Sequence, residues 1–152
     1  MDVALSRDIT KQLREVLGQK PLLLKLGHFE LRDRMAEFLQ AINGLASGIT
    51  MVNAISRPVL YRDGRPAFGK QFVRAGVLGR AIHEPSVEDV RAAAQIIREH
   101  GMKLTVAAVG GVSCAKDVKD FFDAGAEIVL MGSSPMYLPG LAAELKVMHP
   151  QW

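Results

Sequence analysis

The sequence predicts an α/β fold of parallel βα units, and three observations carry that prediction. Short apolar runs alternate with amphipathic helical stretches along all 152 residues. The runs are apolar on successive residues rather than on alternate ones, as strands buried on both faces are. Two consecutive runs end in glycine turns, Gly110-Gly111 and Gly132-Ser133-Ser134. Strands that alternate with helices pair in parallel through right-handed crossovers.

Each element follows in order. Leu5, Ile9, Leu13, Val16 and Leu17 fall at helical spacing and predict an amphipathic helix stopped by Gly18. PLLLKLG, from Pro21 to Gly27, reads as a short buried strand with one lysine inside it. Leu31, Met35, Phe38, Leu39, Ile42 and Leu45 mark a second helix, closed by Gly48, and GITMVNAI supplies the next strand. Ser56 to Pro85 is rich in Gly, Pro and Arg, has no sustained period, and reads as one long loop of functional character.

Val87 to His100 is the next helix, with Gly101 as its C-terminal cap. LTVAAVGG is a strand, Ser113 to Ala124 a helix, and AEIVLMG a strand. Ser134 as cap with Pro135 at the first helical position opens a last helix. The whole of 1–152 is expected to be a single domain.

Composition narrows the function classes. A formal charge of +3, scattered basic residues and 6% aromatics argue against nucleic acid and fit a local anion site. One cysteine, Cys114, excludes an intramolecular disulfide framework and a cysteine-based zinc cluster. None of the four histidines shows metal-ligand spacing with another, so no metal is expected. The amino terminus lacks an apolar core of signal-peptide length, and no run reaches the ~20 apolar residues of a membrane span. A cytoplasmic protein with no membrane partner is the resulting expectation.

Four βα units make either a small open sheet or half of an eight-fold barrel. In both layouts functional groups gather at the carboxyl ends of strands. Lys25, Asn53, Gly110-Gly111 and Gly132-Ser133-Ser134 all fall there. Two neighbouring glycine turns that each open a helix point backbone N–H groups and a positive dipole end at one anion. Lys25 either reaches solvent or faces a polar ligand, and a buried ammonium requires a negative partner. Asn53 either caps a turn or reads a planar polar ligand. His28, just past the Lys25 strand, lies within reach of such a ligand. Cys114 is expected to be a small packing residue at a helix start, and Met136 and Tyr137 to offer an edge contact to a bound ring.

PLLLKLG, TMVNAI, GVLGRAI and AVGGVSCAKDVKDFFDAGAEIVLMGSSPMY, in that order, resemble the C-terminal half of the FMN-dependent dihydroorotate dehydrogenase family. The similarity runs from about Pro21 to Leu145. It implies the C-terminal half of a TIM-type (β/α)8 barrel, FMN as cofactor, and hydride transfer from a dihydropyrimidine to flavin, as in pyrimidine biosynthesis. By this resemblance Lys25 contacts the flavin ring and Asn53 the pyrimidine substrate. Gly76 and Gly79 match the glycine-rich flavin loop. Gly110, Gly111, Gly132, Ser133 and Ser134 match the two phosphate-binding loops.

The departures from the family pattern are specific. Ala54 follows Asn53 where the family usually has Ser or Thr, Leu78 stands where a small residue is common, and Arg80 replaces a residue that is often proline. The general base, which the resemblance puts in the other half of the barrel, has no counterpart, so no catalytic residue is assigned. Two further readings stay open: a phosphate-binding barrel fragment of an isomerase or lyase, and a non-catalytic half barrel that binds phosphate or a partner. A half barrel leaves strand edges uncovered, so a homo-oligomer or a complementing N-terminal half is expected.

Overall fold

The computed structural model describes residues 2–152. Its elements are α1 (Val3–Leu17), β1 (Leu23–Lys25), α2 (Arg32–Ile42), β2 (Gly48–Met51), β3 (Ile55–Pro58), β4 (Arg74–Val77), α3 (His83–Glu99), β5 (Thr105–Val109), α4 (Ala115–Asp123), β6 (Ile128–Leu130) and α5 (Leu141–Met148). Four strands form one parallel sheet in the order β1-β2-β5-β6.

The segment expected to be one long loop contains a strand pair instead. β3 and β4 form an antiparallel hairpin, with Ser56 opposite Gly76 and Arg57 opposite Ala75. Both strands are largely exposed, so no buried face imposes the apolar alternation that would have revealed them. Leu60, Tyr61, Phe68 and Phe72 on its distal part all face solvent.

Register decides what each face of the main sheet does. Leu24, Ile49 and Val106 lie level with one another, as do Met51, Ala108 and Val129. This face packs on Met35, Phe38, Leu39 and Ile42 of α2 and on Val90 and Ile96 of α3, forming the core. The opposite face carries Leu23, Lys25, Thr50, Ala107, Val109, Ile128 and Leu130; Ala107 at its centre is buried, while its outer strands are open. Leu23, Ile128 and Leu130 are each more than 40% exposed. PLLLKLG is therefore not a fully buried strand: β1 is an edge strand with one bare face.

The helices line up along one side of the sheet in the order α1, α2, α3, α4. A doubly wound open sheet carries helices on both faces, whereas a barrel segment carries them on the outside alone. The arrangement is that of a barrel segment.

α1 starts with the Asp2 side chain accepting from the Leu5 N–H at 3.0 Å and ends at Gly18 with φ +59°. Arg14 fixes it by donating to the Leu45 carbonyl at 2.7 Å and to the carbonyls of Gly18 and Lys20 at 2.8 Å. Its apolar stripe is not buried, however: Leu5, Ile9, Leu13 and Val16 face solvent, and Thr10 is the residue turned inward. The helical period is right, and the surface that would cover it is not among the described residues.

Candidate functional site

The carboxyl ends of the strands enclose a cavity of about 160 Å³. Lys25, Asn53, Gly79, Gly110, Gly111, Gly132, Ser133 and Ser134 all line it. Lys25 reaches it as the last residue of β1, on the bare face. Asn53 follows β2 and the cis Met51–Val52 peptide; its N–H donates to the Leu26 carbonyl at 2.9 Å, which locks the two strand ends together. Gly76 is not in the lining. It sits in β4, where an added Cβ would meet Ala54 Cβ at 3.3 Å.

Gly110 and Gly111 build the turn after β5, with φ of +148° and +66°. A Cβ on Gly110 would lie 2.4 Å from Ser86 Oγ, and one on Gly111 would lie 2.7 Å from the Gly79 carbonyl oxygen. The turn is therefore pressed against the start of α3 and the 3-10 turn Gly79–Ile82 that precedes it. Gly132 differs, since nothing lies within 4 Å of where its Cβ would be. Ser134 joins the two glycine turns by donating its hydroxyl to the Val112 carbonyl. It is thus not the helix cap expected: the 3-10 turn Ser134–Met136 starts there without side-chain capping, and α5 begins only at Leu141.

The two residues that lead from Gly110-Gly111 into α4 do not present their N–H groups freely. Asp117, fully buried on α4, accepts from the Ser113 N–H and hydroxyl at 2.9 Å and from the Cys114 N–H at 3.2 Å. The same carboxylate pairs with Arg80, which lines the cavity. Burial alone would raise its pKa, but the bonds from Arg80, Ser113 and Cys114 outweigh burial and hold it well below the usual carboxylate range. Cys114 is exposed rather than packed.

Beneath the turn, buried His83 faces the Gly110 carbonyl with Nδ1 at 3.0 Å and Asp120 with Nε2 at 3.3 Å, and stacks edge-on against Phe121. His83, Asp117 and Asp120 place three potential ligand atoms within 4.8 Å of one another. Both carboxylates are already engaged by cations, Asp117 by Arg80 and Asp120 by Lys116 at 2.7 Å, so the cluster is an ion-pair network. His28 does not turn to the cavity lined by Lys25; its Nδ1 lies 2.7 Å from Asp89 Oδ2 on α3. Burial raises the Asp89 pKa, with the His28 hydrogen bond opposing it. Tyr137 lines the main cavity, while Met136 is 85% exposed and does not.

The dihydroorotate dehydrogenase family model matches residues 1–147. The chain belongs to the dihydroorotate dehydrogenase family. It is 28% identical to the dihydroorotate dehydrogenase of Dictyostelium discoideum over 139 residues, covering 89% of this chain and 38% of that protein. It is 31% identical over 140 residues to the catalytic subunit of dihydroorotate dehydrogenase B (NAD(+)) from Endomicrobium trichonymphae, covering 91% and 43%. Among solved structures, Eimeria tenella DHODH in complex with ferulenol superposes with a TM-score of 0.65 at 18% identity, covering 88% of this chain and 35% of that one. The chain thus spans about two fifths of its curated relatives, and its fold is part of the dihydroorotate dehydrogenase barrel.

Sequence reasoning missed one feature of the cavity. Arg80 appears in the sequence only as a departure, whereas in space it stands on the cavity wall beside Gly79. The signal available in the sequence was a basic residue directly after a glycine, Gly79-Arg80.

Proposed function

We propose that this chain is the FMN-binding part of a dihydroorotate dehydrogenase-like oxidoreductase. The observation that carries the reading is electrostatic. Among the described residues the cavity wall holds two cations, Lys25 and Arg80, with Asn53, three serines and four glycines; the one carboxylate in contact with them, Asp117, lies behind the wall, paired with Arg80. Such a donor set suits a phosphate monoester joined to a polar ring.

Gly110, Gly111, Gly132 and Ser133 would hold the phosphate end, where missing side chains let backbone N–H groups approach closely. Lys25 would lie against the ring end on the bare sheet face and stabilise negative charge there. Asn53 would present an amide donor and acceptor to a dihydropyrimidine. Bound FMN would supply hydride acceptance, and the protein binds and orients. The proton acceptor is assigned to none of this chain's residues. It belongs to the part of the barrel that would complete the sheet beyond β1 and β6, contributed by a complementing N-terminal half.

The test is a titration of the purified chain with FMN, read by flavin fluorescence and visible absorbance. Quenching with a shifted absorption band is expected, and loss of that response is expected in Lys25→Met. A chain that leaves the flavin spectrum unchanged at millimolar concentration overturns the reading.

A further inference from the structure

We infer that Arg80 is an anion anchor of this cavity and that buried Asp117 is the residue that positions it. This rests on the flavin-phosphate reading for its ligand, and on the geometry below for the residues.

The first part of the argument is subtraction. A helix start after a glycine turn normally offers its free N–H groups to an anion. Here the Ser113 and Cys114 N–H groups and the Ser113 hydroxyl all donate to Asp117. The two N–H groups between the glycine turn and α4 are therefore taken from within, and a carboxylate sits directly behind the turn. An anion placed at Gly110-Gly111 would meet that charge unless a cation offset it. Arg80 is the cation in contact with Asp117.

The second part is geometry. Arg80 uses Nη1 for Asp117, and its Nε and Nη2 make no hydrogen bond among the described residues. Its side chain is 62% exposed while Asp117 is fully buried, so one end of the pair is fixed and the other is open to the cavity. A planar guanidinium held at one nitrogen keeps the remaining donors in a defined direction, which suits a phosphate oxygen better than a free arginine would. The backbone agrees: Gly111 is pressed on the Gly79 carbonyl and on Arg80 Cα, so the arginine and the turn keep their spacing.

The experiment compares FMN with riboflavin, which lacks the phosphate, and adds inorganic phosphate as a third probe. Arg80→Gln is expected to weaken FMN by about tenfold or more, the value of a charged hydrogen bond, with riboflavin changed by less than about twofold. Arg80→Lys keeps charge without the fork and should recover part of the loss. Asp117→Asn should weaken FMN by a smaller factor in the same direction, and its effect should vanish in the Arg80→Gln background. An unchanged FMN-to-riboflavin ratio in Arg80→Gln, with lowered thermal stability, makes the pair a structural clamp and overturns the assignment. If wild type binds phosphate but no flavin, the flavin reading fails, and the Arg80→Gln effect on phosphate alone then decides the anchor. A wild type that binds neither overturns both.

Discussion

The Ser134 hydroxyl donates to the Val112 carbonyl and thereby ties the turn after β6 to the turn after β5. The two glycine turns are one unit rather than two equivalents side by side. Ser134 is buried, so Ser134→Ala leaves a buried carbonyl without this donor. A loss of about 1–2 kcal/mol in urea denaturation is expected, with weaker FMN binding; Ser134→Thr should restore most of both.

The glycines of the cavity separate into two classes that one substitution distinguishes. Gly111→Ala forces a Cβ to 2.7 Å from the Gly79 oxygen at φ +66°, and should cost about 2 kcal/mol or more. Gly132→Ala meets open space and should stay within about 0.5 kcal/mol of wild type. Thermal melts of the pair check this. If Gly132→Ala nevertheless abolishes FMN binding, the open space at Gly132 is ligand space.

Asp117 gives the fold an acid-sensitive component. Its folded pKa lies below the unfolded value, so the native state binds this proton less readily than the unfolded chain. The stability it contributes is fully present above the unfolded value of 3.8 and is lost as pH falls below it toward the folded one. Asp117→Asn should cost about 2 kcal/mol at pH 7. The gap to wild type should narrow as denaturation is repeated below pH ~4. A gap independent of pH contradicts the assignment of this charge.

Asp89 has the opposite sign. Burial raises its folded pKa, so its ionised form costs stability above that value and the cost is relieved as pH falls through it. Asp89→Asn keeps an acceptor for His28 and should match or exceed wild-type stability at pH 7. A large loss instead would show that the charge pairing with His28 outweighs the desolvation.

The uncovered stripe of α1 should drive association. Ile9 and Val16 are 49% and 85% exposed, so replacing both with Glu should leave the melting temperature nearly unchanged. Light scattering is expected to show the wild-type chain above its 16.6 kDa monomer mass and the double variant shifted toward it. A wild-type monomer at high concentration would leave a complementing half as the partner of this surface.

Much of this molecule is readable from its residues alone. The βα alternation, the four strands of the main sheet, the stop at Gly18 and the gathering of Lys25, Asn53 and the glycine turns at strand ends all follow from period and position. These are local signals: a strand buried on a helix layer and a glycine at positive φ constrain composition within a few residues. Resemblance added what those signals imply together.

Tertiary structure decided the rest, because the deciding contacts join residues far apart in the chain. Asp117 reads locally as an acid in the first turn of α4; only folding makes it the partner of Arg80, 37 residues earlier. His28 reads as a neighbour of Lys25, yet Asp89, 61 residues on, takes its ring nitrogen. The β3–β4 hairpin escaped notice because neither strand buries a face. The bare sides of β1, β6 and α1 carry apolar residues that look like core in the sequence. Apolar pattern reports that a surface is meant to be covered, and only the packed fold shows which surfaces this chain covers itself.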